Sequence, residues 1–170
     1  MPIPNEALEL ENQWVNQMNP GKPTLGIVFN ILKQEWLNNN RDRELGLHLL
    51  FLAWYGLVEP AFITGFETRE DTKYILRDGL TEELQLIFRQ VHDYFEPMLY
   101  EDPEMLYVVG LMANIFPYVL GNSDEWENRS VEYRKRHRKL LPNGVPPDVF
   151  KDRGAYGEYF YGHAKNKNGY

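Results

Sequence analysis

Apolar residues recur along this chain at intervals of three and four, with no stretch of strict alternation, so the pattern predicts helices and no sheet. From Asn5 onward, Ala7, Leu10, Trp14 and Met18 share one helical face, and the turn signal Asn19 to Pro23 follows. Thr24 starts a second helix with Leu25, Val28, Phe29, Leu32 and Trp36 on one side, and Asn38-Asn39-Asn40 ends it. The third segment, Leu45 to Val58, reads LGLHLLFLAWYGLV and is apolar nearly all round. As a helix it spans about 21 Å, short of the roughly 30 Å hydrocarbon thickness of a bilayer. Charged residues precede it at positions 41–44, and Glu59-Pro60 stops it. It therefore reads as a core helix over about 42–58, enclosed by other elements.

The second half punctuates itself in the same way. Residues 60–66 fit either one helical turn or a packed loop. Thr68 with Asp71 resembles a capping box, and Gly79 sits where a C-terminal glycine belongs. Thr81 is placed to cap an amphipathic segment carrying Leu84, Ile87, Phe88, Val91 and Phe95, which Pro97 is expected to stop. Asp102-Pro103 is a cap followed by proline at the first helical position, opening a second core helix over about 104–120. Pro117 should kink that helix or end its regular part. Asp124 and Glu127 form another expected capping pair, ahead of a polar surface helix with Trp126, Tyr133 and Leu140 as its apolar stripe. A loop over 141–147 and an aromatic segment over 153–163 complete the pattern. The expected fold is all-α: one compact domain over 1–163 with seven or eight short antiparallel helices, two of them core helices, and a flexible tail over 164–170.

The pair 104–120 and 124–141 resembles a tetratricopeptide-type helical hairpin. Val109-Gly110 falls where that motif carries Leu-Gly, Leu140 and Pro142 lie near its terminal proline, and Ala113 stands where it has tyrosine. The resemblance covers about 40 residues in one copy, and implies helix pairs stacked in layers and a protein-binding role.

Composition narrows the function classes. With no cysteine among 170 residues, disulfides, thiolate metal sites and cysteine nucleophiles are excluded. The first residues carry neither a basic nor an apolar leader pattern, and no segment is long enough for a membrane span, so a cytoplasmic protein is expected. Net charge is −7 but unevenly placed. Residues 80–128 hold ten acids and one base, whereas 129–170 hold ten bases and four acids. Some of these charges fall at helix ends that favour them, and the two blocks can pair with each other. The remaining reading is an acidic face made of Glu82, Glu83, Asp93, Glu96, Glu101, Asp102, Glu125 and Glu127, steering a protein with a basic surface onto it. Function is therefore expected to be non-enzymatic and inhibitor-, immunity- or adaptor-like.

Candidate chemistry is sparse. There is no phosphate loop, dinucleotide glycine fingerprint, His-Glu-x-x-His or nucleophile elbow, and no cofactor is expected. Glu44 with His48, and His92 with Glu96, each stand four apart on one helix face, a possible carboxylate–imidazole metal site. The bland expectation is a buried His48 with one hydrogen bond and an exposed His92 pair. The alternative to the interaction module is an enzyme or small-ligand binder, with or without a carboxylate–imidazole metal, whose pocket between the core helices would be lined by His48, Trp54, Tyr55, Glu59, Asn114 and Tyr118, with Glu59 the acid expected to be partly buried. The basic run Arg134 to Lys139 lies in a helix's last turns, and an acidic chain makes nucleic acid an unexpected partner. The aromatic segment around Tyr156, Tyr159, Phe160, Tyr161 and His163 is expected to pack on the core, its hydroxyls reaching solvent.

Overall fold

The structure is a computed structural model describing residues 2–16, 24–60 and 79–167. Among these, every regular element is helical: α1 (Asn5–Asn16), α2 (Leu25–Leu37), α3 (Arg43–Val58), α4 (Leu80–Leu99), α5 (Pro103–Ile115), α6 (Ser123–Leu140) and α7 (Gly154–Lys165), with single 3-10 turns at Pro117–Leu120 and Pro147–Phe150. None of these helices is long and apolar enough to cross a membrane. The turn at 19–23, the 60–66 segment beyond Pro60, the Thr68/Asp71 capping box and Met18 lie outside the described residues.

The third helix is central because, beyond Arg43 and Glu44 in its first turn, almost nothing on it suits water. Asp42 caps it, accepting from the Glu44 amide at 2.9 Å, and eleven residues from Leu45 to Gly56 are buried. It packs against α2, α4, α5, α7 and the first 3-10 turn. Its contact with α4 depends on Gly46, where an added Cβ would lie 2.9 Å from Phe95 Cζ. Gly46→Ala is therefore expected to cost about 1–3 kcal/mol in chemical denaturation. Adding Phe95→Leu should return part of that loss, and a strictly additive double variant would disprove the clash.

The second core helix stops at Ile115, five residues before its expected end. Phe116 leaves helical geometry and Pro117 begins the 3-10 turn, since a proline has no amide to continue the ladder. The expected stop at Pro97 does not occur. Pro97 sits inside the last turn of α4, which runs to Leu99; the fixed proline φ fits a helix, and near an exposed end only one bond is lost. Two caps also differ from expectation. Gly79, at φ +83, precedes α4 in place of Thr81, and Asn122 caps α6, accepting from the Glu125 amide at 3.1 Å, in place of Asp124.

α5 and α6 form an antiparallel hairpin. Ser130 Oγ donates to the Gly110 carbonyl at 3.0 Å, and Nδ1 of His137 lies 2.7 Å from the Pro103 carbonyl. Gly110 lets α6 come close, since a Cβ added there would lie 3.1 Å from Arg134 Cγ and 3.5 Å from Tyr133 Cβ. α4 and α6, which are not consecutive, pack side by side in the same direction. Arg89 bonds Glu125, Glu96 bonds Arg129 and the Tyr100 carbonyl bonds Arg136, a register that advances along both helices together. The two run parallel because α5 lies between them in sequence and reverses the chain twice. At the other end, Phe51 meets Tyr156, Tyr159 and Phe160 of α7 at ring distances of 5.4–6.1 Å, so the aromatic segment packs on the core as expected. α7 reaches Lys165 with Ala164 buried, so helix extends past the 163 boundary expected for the domain.

Candidate functional site

Three groups of polar residues stand out, and the first is buried where α1, α3 and α7 meet. Glu11, from the inner face of α1, is fully buried. One of its oxygens lies 2.7 Å from Nδ1 of His48, and the other accepts from the Ala155 amide at 2.8 Å and the Tyr156 amide at 3.4 Å. Glu11 thus caps the N-terminus of α7 from a distant helix, with the positive end of the helix dipole facing its carboxylate. Only Gly154, at φ +61, leaves room for it.

The far side of the His48 ring, Nε2, is 3.3 Å from Glu44. Glu44 in turn accepts a two-pronged pair from Arg153, at 2.7 and 2.6 Å. Arg153 continues to Glu104 at 2.6 Å, and Glu104 also accepts from the Tyr156 hydroxyl at 2.6 Å and from Arg43 at 2.9 Å. Arg43 ends the chain on Asp102. Burial alone would lower the His48 pKa, but the Glu11 charge and hydrogen bond, then those of Glu44, outweigh it and lift the imidazole to about 9. Burial would raise Glu44, yet its bonds to His48 and Arg153 hold it at about 2. Alternating signs along this line satisfy each buried group, so its evident role is to fasten the first and last helices to the core. His48 has two partners where one was expected, and the Tyr156 hydroxyl is turned inward, correcting the expectation that it reaches solvent.

The second group joins α4 to α6. His92 is fully buried, contrary to the exposed pair expected, because Trp126 and Tyr133 of α6 close over it with ring distances of 5.0 and 5.9 Å. Its nitrogens lie 2.9 Å from Asp93 and 2.7 Å from the Tyr133 hydroxyl. Arg129 bonds Glu96, Glu125 and that same hydroxyl, and Arg89 grips Glu125 with two bonds. Both guanidiniums also sit over the Trp126 ring at 5.2 and 5.5 Å.

The expected four-residue metal set does not share these surroundings. Glu44 and His48 belong to the α1–α3–α7 network, and His92 and Glu96 to the α4–α6 group. His92, Asp93 and Glu96 do present donor atoms within 4.8 Å of one another, and Asp93 is the member the spacing of His92 and Glu96 left out. A cation there would compete with Arg129, already bonded to Glu96. The six pocket residues are also dispersed. His48 faces Glu11, and Trp54 and Tyr55 pack against Tyr159 at 5.6 and 5.8 Å. Asn114 accepts from Arg134 at the surface, Tyr118 is exposed, and Glu59 is exposed beyond the last turn of α3 rather than partly buried.

The third group is the acidic face, and folding neutralises much of it. Glu83 pairs with Lys33, Glu96 and Glu125 with Arg129, Glu101 with Arg136 and Asp102 with Arg43. Glu127 accepts from Ser123, and Asp93 from His92, leaving both carboxylates exposed. Glu82 is exposed as well. What sequence reasoning missed is the apolar ridge beside them. At four-residue steps along α4 come Glu82, Leu86, Gln90, Tyr94 and Met98, of which Leu86 is 55% exposed, Tyr94 44% and Met98 50%. Next to the ridge, Trp36, Leu37, Arg41, Gln90 and Tyr94 line a groove, with Arg41 stacked 3.8 Å over Trp36. The signal was present in the sequence, as apolar residues on the wrong side of an amphipathic helix.

Comparison with protein-family models, with curated proteins and with solved structures gives no match to this chain.

Proposed function

We propose that this chain is a protein-interaction module that receives a partner with a basic surface on the outer side of α4, as an inhibitor or adaptor does. The observation that carries the reading is the exposed ridge Leu86–Tyr94–Met98, bordered by the exposed carboxylates of Glu82 and Asp93. Large apolar side chains left in water on one face are what an interface buries, and an aromatic residue among them is the usual energetic anchor. The unneutralised acids and the net charge of −7 supply long-range attraction for a basic partner. Much of the acidic block serves the fold, so the apolar contacts carry affinity and the charges set the on-rate.

A photo-crosslinking residue at position 90 of the full chain, followed by mass spectrometry, identifies the partner, and binding is then measured with that protein. Tyr94→Ala/Met98→Ala is expected to weaken it at least about tenfold, and raising salt from 50 to 500 mM to weaken it further. A partner bound equally well by that variant, or one whose binding ignores salt, overturns the reading.

A further inference from the structure

A different face, the outer side of α6, has a charge order that fits a second copy of itself. Asp124, Glu127, Asn128, Val131, Lys135 and Arg138 are all exposed, and at 100° per residue they fall within about a 100° arc. Of these six, Glu127 accepts a hydrogen bond from Ser123 at 3.0 Å on one oxygen and is itself exposed. Acids occupy the first half of this stripe and bases the second. Val131, 64% exposed, stands at the midpoint.

We infer that two copies of this chain associate through α6, antiparallel, about a twofold axis passing beside Val131. In that arrangement the residue k places after Val131 faces the residue k places before it on the other copy. Asp124 then meets Arg138, seven places either side, and Glu127 meets Lys135, four places either side. Each pair occurs twice by symmetry. The two valines meet at the axis. A self-complementary patch of this kind is what a twofold interface requires, because the same surface must serve both partners. Parallel pairing of the same faces would set acid on acid and base on base, so the charge order also selects the direction. Folding left these charges outside while two other bases of this helix, Arg129 and Arg136, were drawn into ion pairs with α4 and the turn after it.

A single helix-on-helix contact buries less than the roughly 1,200 Å² of a stable complex, so the association is expected to be modest, with a Kd on the order of 100 µM at 50 mM salt. Sedimentation equilibrium of the full chain between 10 and 500 µM tests it. The native chain should dimerise, with Kd rising at least about tenfold at 500 mM salt. Glu127→Lys and Lys135→Glu should each be monomeric at 500 µM while keeping the native circular dichroism, since both side chains are exposed. Mixed in equal amounts they should dimerise again, because the lysine introduced at position 127 of one copy then faces the glutamate introduced at position 135 of the other. A native chain that stays monomeric at 500 µM overturns the inference, as does a dimer indifferent to both substitutions, or a mixture that fails to recover. A monomer that binds polyglutamate through Lys135 and Arg138 would assign the basic half of the face to a foreign partner instead, and equally overturns it.

Discussion

His48→Leu is expected to remove about 3–5 kcal/mol of folding stability at pH 7, a large share of the 5–15 kcal/mol typical of a domain. The cost comes less from the lost imidazole than from what remains. Glu11 would keep its carboxylate in a fully enclosed site with only the α7 amides to answer it. Adding Glu11→Gln should recover much of the loss, because a neutral amide still accepts from Ala155 and no buried charge is stranded. If the double variant is no more stable than His48→Leu alone, packing rather than charge explains the site.

The same residue sets an alkaline limb. An imidazole raised from 6.5 to about 9 binds its proton more tightly in the folded chain than in the unfolded one. Its contribution is fully present below about pH 6.5 and is lost as pH climbs through 9, so the unfolding free energy should fall by about 3 kcal/mol across that window. His48→Leu should flatten the fall. Glu44, held at about 2, acts in the opposite direction: its contribution is present above its ordinary 4.5 and disappears as pH drops toward 2. Denaturant titrations from pH 6 to 9.5 decide the matter, and a native profile without slope there contradicts the assignment.

The second large effect is expected at Gly154. Its φ of +61 disfavours any side chain, and an added Cβ would stand 2.7 Å from Glu11 Cβ. Gly154→Ala therefore combines left-handed backbone strain with displacement of the residue that caps α7 and holds His48, for a loss of about 3 kcal/mol or more. Gly162→Ala, in the same helix, is the control. Nothing lies within 4 Å of its added Cβ, and its backbone is helical, so it should be neutral or stabilising by up to about 1 kcal/mol. Equal losses from the two substitutions would mean that α7 simply tolerates no change, and would remove the special status of Gly154.

Much of the architecture was legible along the chain because helix periodicity and burial are local signals. An apolar run such as Leu45 to Val58 has no exposed face to offer, so enclosure follows from composition alone. Asp102 and Pro103 start α5 where local chemistry says they should. Caps were less legible. Asn122 and Asp124 are both good capping types two residues apart, and only the path of the chain into α6 selects Asn122.

The polar network lay beyond sequence reasoning. Glu11 is one of three acids in the first helix, spaced like its solvent-exposed neighbours Glu6 and Glu9, and its partners lie 37 and 144 residues away. His92 was read as exposed because nothing nearby in sequence announces that Trp126 and Tyr133 will cover it.

The sequence by itself determined the helical class, the two core helices and the division of charge between residues 80–128 and 129–170. Each of these depends on residues within a few turns of one another, where spacing alone sets which face a side chain occupies. Tertiary structure alone decided which of those charges cancel and which stay outside, and therefore which faces are free to meet another molecule. Ion pairing depends on distances of a few ångströms between helices far apart in the chain, and no periodicity encodes them.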